Sequence, residues 1–481
     1  MAVKNEIRAC GDFHLAEAKI LTSAGNFINI KASNIGHIRL YEDIKRSSVS
    51  GEILIQNSAA FSNEGPIIGQ EYLFLKIQTP SLECPEDVID FSETVFLINS
   101  VQNRMEVGNN VEVCLLTFTS SELSKNQRVR IKGSLEGSYS DIVKQMFDSV
   151  DCRKKIFIEP TKGVKRIVAP NISPFDVIQM AVNNASSNLT ENFSPTYLFF
   201  ETFKAYHFRS LSSLYSQPSV QDYTSLNAGR PQKGASDLIE KELSNIIDYE
   251  IIDNNSSLYN YAAGVLGSKL IVHNIYSKSF QEYTYNYFDN FGNEKHITHY
   301  HGGSQNPIFS DVSIEKDGAR GSDFPTRTYL TSISQGETDA NNTKENGTEP
   351  FSAPDPQNTI QERQSSLHQL EKGLLINITV YGNTVISAGD VVNIDVPLVA
   401  AFKTEKNRTS DRFYSGPFLI KRIVHDFDFS IKKHACTFTL VKDSLSEKLD
   451  GPKDQHEPKP NRKPTIVSQK NILYPMAGIK G

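Results

Sequence analysis

The sequence predicts a mainly β chain with α+β insertions, in which two similar small antiparallel β-barrels bracket helical and mixed inserts. Three observations carry this. Gly416 to Leu445 (GPFLIKRIVHDFDFSIKKHACTFTLVKDSL) reads as two strands joined by a hairpin, with Cys436, Phe438 and Leu440 alternating with Thr437, Thr439 and Val441, the period of a half-buried strand. An echo lies at Phe96 to Leu123 (FLINSVQNRMEVGNNVEVCLLTFTSSEL). Shifted by 322 positions, Phe96, Leu97, Ile98, Cys114, Thr117 and Leu123 fall on Phe418, Leu419, Ile420, Cys436, Thr439 and Leu445, six identities in 28 positions. Finally, Ile68-Gly69-Gln70 before LFLKIQTP resembles Ala388-Gly389-Asp390 before VVNIDVP. Both are a tight Gly turn feeding an alternating strand that stops at Pro.

The first barrel is expected over residues 1–134, where Phe27 to Lys31, His37 to Glu42 and Ser50 to Gln56 add short strand-like runs between turns. A helical and β-hairpin insert follows over 135–215. In SYSDIVKQMFDSV, Ile142, Val143, Met146, Phe147 and Val150 share one helical face, with Ser138 or Ser140 as N-cap. SPFDVIQMAVNNA is a second helix, capped by Ser173, with Pro174 in its first turn and Asp176 favouring the N-terminal dipole. PTYLFFETFKAYHFRSLSSLY reads as an aromatic strand pair turning at Lys204-Ala205. A mixed insert spans 216–373: a polar loop over 216–240, the amphipathic run DLIEKELSNIIDYEIID, Tyr/Phe-rich strands after Gly264 and Gly267, a long polar segment over 307–356, and a helix over 358–372 ending at Gly373. The second barrel is expected over 374–445, opening on Leu374, Ile376, Ile378 and Val380 in alternation. Residues 446–481 form a flexible Pro/Lys-rich tail closing on the apolar NILYPMAGIKG.

A chain of 481 residues should hold more than one domain. The net charge of −6 lacks the clustered Lys and Arg that stable nucleic-acid binding wants. No run is long and apolar enough to cross a bilayer, and the charged N-terminus has no signal-peptide pattern, so no membrane insertion is expected. The five cysteines are scattered without a CxxC and read as buried thiols, Cys114 and Cys436 being small core residues at equivalent strand positions.

Candidate chemistry is sparse. His296, His299 and His301 (HITHYH) form a histidine cluster; on a strand His299 and His301 share a face while His296 points away, and no Cys, acidic partner or HExxH stands beside them. The reading is a polar, aromatic surface strand, with no metal and no cofactor. No GxSxG, P-loop or cysteine-nucleophile signature is present, so no catalytic residue is assigned. Glu201, inside YLFFETF, is the acid expected to be half buried, as a hydrogen-bonded structural group. Lys125 to Lys132 (KNQRVRIK) carries four cations without interleaved aromatics, which a charge-protected strand edge explains as well as phosphate binding does. In the tail, Ile472, Leu473, Tyr474 and Met476 are candidate anchors for a partner protein, the other reading being a plain terminus.

Three stretches resemble the baseplate hub subunit of contractile-tailed phages, a family shared with the N-terminal part of type VI secretion spike proteins: Ser194 to Tyr215, Val380 to Pro397 and Ser415 to Phe429. With the first-barrel echo the resemblance covers roughly residues 10–445; the long polar segment and the tail depart from the simplest members. The resemblance implies a structural virion protein and no enzyme. It would be a homotrimeric ring between a sixfold tail tube and a threefold membrane-piercing spike, contacting both and other baseplate proteins, with DNA passing through the lumen. Assembly in the host cytoplasm and a spike supplied by a separate protein are also implied. Two other classes remain open: a cell-wall glycan hydrolase, and a receptor-binding tail protein using the Tyr-rich region 276–300.

Overall fold

Among the described residues thirteen strands share one sheet. The computed structural model describes residues 9–58, 67–80, 88–107, 111–188, 194–225, 242–254, 256–274, 278–309, 320–333, 357–396, 410–411 and 413–447. The chain opens with β1 (His14–Leu21), β2 (Phe27–Asn29), β3 (Ile35–Asp43), β4 (Ser50–Ser58), β5 (Tyr72–Gln78), β6 (Ile89–Glu106) and β7 (Val111–Ser120). Alternation puts Ile38, Leu40, Ile53, Ile55, Leu73, Leu75, Phe96, Ile98, Leu116 and Phe118 on one buried face. β6 is long because it serves two neighbours: its first half pairs β5, and from Phe96 onward it pairs β7.

The insert begins with α1 (Ser121–Arg128) and β8 (Ile131–Gly137). The basic run Lys125 to Lys132 therefore straddles the end of a helix and the start of a strand, correcting the expected strand edge. Its cations suit the negative end of the helix dipole, so Lys125 and Arg128 occupy the last turn of α1. Next come α2 (Tyr139–Ser149), β9 (Ile156–Ile158), β10 (Lys165–Ile172), α3 (Pro174–Asn184), β11 (Tyr197–Glu201), β12 (Tyr206–Ser210) and α4 (Leu211–Tyr215). Both helices start on reciprocal capping boxes, Ser138 with Asp141 and Ser173 with Asp176. They pack Ile142, Met146, Phe147, Phe175 and Ile178 on Tyr197, Phe199, Tyr206 and Phe208 of the β11–β12 hairpin.

β13 (Ser219–Thr224) and β14 (Ile246–Asn254) return to the main sheet. The described second half of the amphipathic run is thus a strand: Ile246, Tyr249 and Ile251 gain more by pairing with the second unit than a short exposed helix would. Then follow α5 (Ser257–Ala263), β15 (Gly267–Asn274), β16 (Ser279–Asn286), α6 (Tyr287–Asn290), α7 (Ile297–Tyr300), β17 (Asn306–Pro307), β18 (Arg327–Ile333) and, after a π-helical turn at Gln357–Glu362, α8 (Arg363–Lys372). The HITHYH stretch lies in α7 and its caps, not on a strand. Gly373 ends α8 with an ordinary negative φ, but a Cβ there would sit 2.4 Å from the Gln369 carbonyl oxygen.

β19 (Leu374–Tyr381), β20 (Val391–Asp395), β21 (Gly416–Asp428), β22 (Lys433–Lys442) and β23 (Ser444–Leu445) complete the chain. The sheet order β14-β19-β22-β21-β3-β4-β7-β6 is one four-strand pattern laid down twice. The 322-residue shift holds in register. Leu97↔Thr119, Ile98↔Phe118, Ser100↔Thr117, Val101↔Leu116 and Gln102↔Leu115 map onto Leu419↔Val441, Ile420↔Leu440, Arg422↔Thr439, Ile423↔Phe438 and Val424↔Thr437. The bulge recurs at the same step, after Ile98 and after Ile420. A shift of 211 likewise carries the bulged Ile35–His37 of β3 onto Ile246–Asp248 of β14. The two units join side by side in one sheet through β21 and β3, and in the second unit a parallel bridge, Thr224↔Asn245, links the end of β13 back to the start of β14, on the far side of the β20-β21-β22-β19 run.

The glycine turns match too. Gly69 and Gly389 have φ of +95° and +92°, and an acid follows each: Glu71 accepts from the backbone N–H groups of Ile68, Gly69 and Gln70, Asp390 from that of Ser387. Replacing Gly389 by Ala should cost about 1–3 kcal/mol of backbone strain, and more than Gly69→Ala, because its Cβ would press to 3.0 Å from Phe200 while that at Gly69 would meet its nearest atom at 3.5 Å. Denaturant midpoints of the two variants give the comparison.

Candidate functional site at the seam between the two strand units

β21 carries the two units as one object. On one side it pairs β22 from Leu419 to Asp428; on the other, Gly416–Leu419 pair β20 and Arg422–Asp428 pair β3. Ion pairs flank the seam, Arg39 Nε to Asp426 at 3.0 Å and Arg422 to Asp43 at 3.2 Å. They are part exposed, so they set register more than stability. Farther along, the Thr79 and Thr384 hydroxyls accept from each other's backbone N–H at 3.1 and 3.2 Å.

The β11–β12 hairpin plugs this seam. Its tip residue Phe203 enters the first unit's core beside Phe91 and lies edge-on to His425 at 5.4 Å. Glu42 of β3, fully buried, accepts from the backbone N–H of Phe203 and, at 2.7 Å, from that of Ala388, tying hairpin, first unit and second unit to one carboxylate. Burial pushes its pKa up to about 8 despite those two donors. Glu201, at the end of β11, is 1% exposed. It accepts from the Lys154 ammonium at 2.6 Å and from the Val49 N–H at 2.9 Å. Lys154 also donates to the Thr202 carbonyl and sits 4.2 Å over the Phe91 ring. Glu201 is thus the structural group the sequence suggests, more deeply buried than expected.

A cleft of about 110 Å³ beside the hairpin is lined by Phe157, Phe200, His207, Arg209, Gln217 and Asp390. That is far below the roughly 300–1,000 Å³ of ordinary ligand pockets. Within the seam, His425 of β21 meets His434 and Cys436 of β22, a buried set able to hold a metal. Sequence reading passed it over. The signal was there in retrospect: in HACTF the residues His434, Cys436 and Phe438 share one strand face, so an imidazole stands at a core position.

The residues singled out in the sequence go elsewhere. His296 is buried, its two ring nitrogens 2.8 Å from the Asp443 carboxylate and the Phe291 carbonyl. Burial opposes its charge, but Asp443 outweighs that and raises its pKa. It fastens α7 to the strand that follows β22, and Thr298 bonds Ser444 alongside. His299 is exposed and His301 lies 3.3 Å from the Tyr215 carbonyl, so the three are not brought together. Cys436 is fully buried and Cys114 partly so. Ile472, Leu473, Tyr474 and Met476 lie outside the described residues, as does most of the polar segment at 307–356.

No family model and no curated protein matches the chain. Solved structures to which it is similar include the tail protein from Neisseria meningitidis MC58, with 8% identity and a TM-score of 0.48 over 90% of this chain and 98% of that one. Another is the 43 kDa tail protein of prophage MuSo2 from Shewanella oneidensis, with 8% identity and a TM-score of 0.43 over 90% and 99%. A third is an E. coli component of the type VI secretion system, described as structurally similar to T4 bacteriophage tail proteins, with 8% identity and a TM-score of 0.39 over 91% and 79%.

Two outcomes test the seam. Lys154→Met strands the Glu201 carboxylate and should cost about 3–5 kcal/mol, read from urea unfolding. Glu42 has a folded pKa raised above its ordinary 4.5, so it takes up a proton on folding; its contribution is full at low pH and is lost as pH rises through about 8. The thermal midpoint should fall over that window, and Glu42→Gln should flatten the fall.

Proposed function

We propose that the chain is the central hub subunit of a contractile phage tail baseplate, a homotrimeric ring that adapts a sixfold tail tube to a threefold spike and lets DNA pass. The observation that carries this is the repeated unit with its two open edges. Inside the chain, the bulged half of β21, Arg422–Asp428, is covered by β3. The equivalent half of β6, from Ser100 to Glu106, pairs β7 on one side and, among the described residues, no strand on the other. The counterpart of β3 is β14, bridged to β13 only at Asn245 just before it; from Ile246 onward, among the described residues, no strand pairs its outer edge, and Ile247, Ile251 and Ile252 are exposed.

An open edge bearing isoleucines is a liability unless something pairs with it. Repeating the internal seam between chains pairs β6 of one with β14 of the next. That addition is head-to-tail, and a head-to-tail contact either closes into a ring or runs on as a filament. Closure at three chains arrays six similar units, matching a sixfold tube, while the inserts keep threefold symmetry for the spike. The reading makes the protein structural, located in the virion, with partners in the tube, the spike and neighbouring baseplate proteins. The tail anchors Ile472, Leu473, Tyr474 and Met476 belong to this proposal as a docking segment. Deleting residues 466–481 should weaken binding to the spike or a baseplate neighbour.

Native mass measurement should give three chains, and an assembled structure should relate the two units by about 60° around the threefold axis. Met105→Lys combined with Ile251→Lys puts like charges at the two exposed edges and should reduce the mass to one folded chain. A trimer unaffected by that pair would rule out edge-to-edge closure, and units at unrelated radii would end the hub reading.

A further inference from the structure

We infer that the seam holds a single thiophilic metal ion, bound by His425 Nδ1, His434 Nε2 and the Cys436 thiolate. The three atoms form a nearly equilateral triangle: 3.1 Å between the two nitrogens, 3.3 Å from the sulfur to His425 and 3.4 Å from the sulfur to His434. A metal with bonds of about 2.0–2.1 Å to imidazole and 2.3 Å to thiolate sets its ligand atoms about 3.3–3.6 Å apart at tetrahedral angles and about 3.5–3.8 Å apart in a three-coordinate plane. The present triangle needs to widen by only a few tenths of an ångström.

The surroundings are built for this. All three residues have no exposed surface. His434 is clamped: its ring stacks on Phe427 at 4.0 Å, its backbone N–H donates to the Gly11 carbonyl, and a Cβ at Gly382 would fall 2.1 Å from the ring. His425 is held between β22 and β3 by its ladder partners Cys436 and Leu40, with Phe203 at its edge. The Asn383 backbone N–H donates to the Cys436 sulfur.

Hydrogen bonding alone serves the trio poorly. Neutral imidazoles carry one proton each, and two N–H groups pointing inward would collide across 3.1 Å. At least one proton must therefore sit on an outer nitrogen, and His425 Nε2 and His434 Nδ1 are both buried without a hydrogen-bond partner. A metal ion displaces the thiol proton, which leaves to solvent, and fills the centre of the triangle with charge that three lone pairs share.

The donor set selects the ion. One thiolate and two neutral imidazoles neutralise copper(I), which accepts three soft ligands. Zinc(II) in the same set keeps a net positive charge in an apolar core and lacks its usual fourth ligand. Copper(I) is the better match, and zinc(II) is the other ion of the same chemistry.

Because the triangle is sealed, the ion enters as the chain folds. The test is to refold the full chain from denaturant with copper(I) under reducing conditions, with zinc sulfate, or with neither, then dialyse against chelator and measure metal per chain. One equivalent retained, absent in folded His425→Phe and Cys436→Val proteins, is the expected result; which ion is retained identifies the occupant. Refolding with cobalt(II) gives a readout without variants, since a thiolate–cobalt charge-transfer band appears only if Cys436 ligates. Correctly refolded protein that retains neither ion and shows no such band would overturn the inference, as would retention undiminished in the variants. Neither outcome depends on the oligomeric state, so the result stands apart from the hub reading.

Discussion

One irregularity governs the sheet: the bulge at the middle of each long strand. A straight strand has a single partner on each side. The bulge after Ile420 twists β21 so that one edge serves β20 before it and β3 after it. The same bulge after Ile98 lets β6 leave β5 and continue alone with β7. Each unit therefore projects a strand arm beyond its own barrel-like part, and the β21 arm is the one to which β3 of the other unit attaches. The ion pairs and the Phe203 plug lie along the one arm that is covered within the chain.

The hairpin at residues 197–210 makes the insert part of this mechanics. Glu42 and Glu201 are buried carboxylates whose donors come from different segments, so neither can be satisfied until the segments meet. Such groups contribute little net stability but penalise every wrong arrangement.

What could be read from the sequence was local. Period-two alternation at Cys436–Val441, the Ser138 and Ser173 caps and the two Gly turns are decided by neighbours a few residues away, and the repeat revealed that one unit is used twice. The misses were decided at long range. Ile246–Asn254 is compatible with either period, and β19 settles the matter. Lys125 and Arg128 look like edge charges until a helix end claims them. The His425–His434–Cys436 set was hidden because its members alternate with apolar residues as core positions do. Only the hairpin register puts His425 opposite Cys436.

The covered arm also has a consequence for synthesis. Arg39 and Asp426, which face each other across β3 and β21, are 387 positions apart in the chain. At translation rates of about 5–20 residues per second, β3 waits on the order of tens of seconds on the ribosome before its partner emerges. Throughout that time the nascent first unit offers a bare strand with Ile38 and Leu40 on its inner face. A strand that waits can be taken by the β21 of another chain finishing nearby on the same message. Polysomes would then favour strand-exchanged chains, and the slow arrival of the C-terminal unit would make chaperone cover, rather than intrinsic stability, the limit on yield.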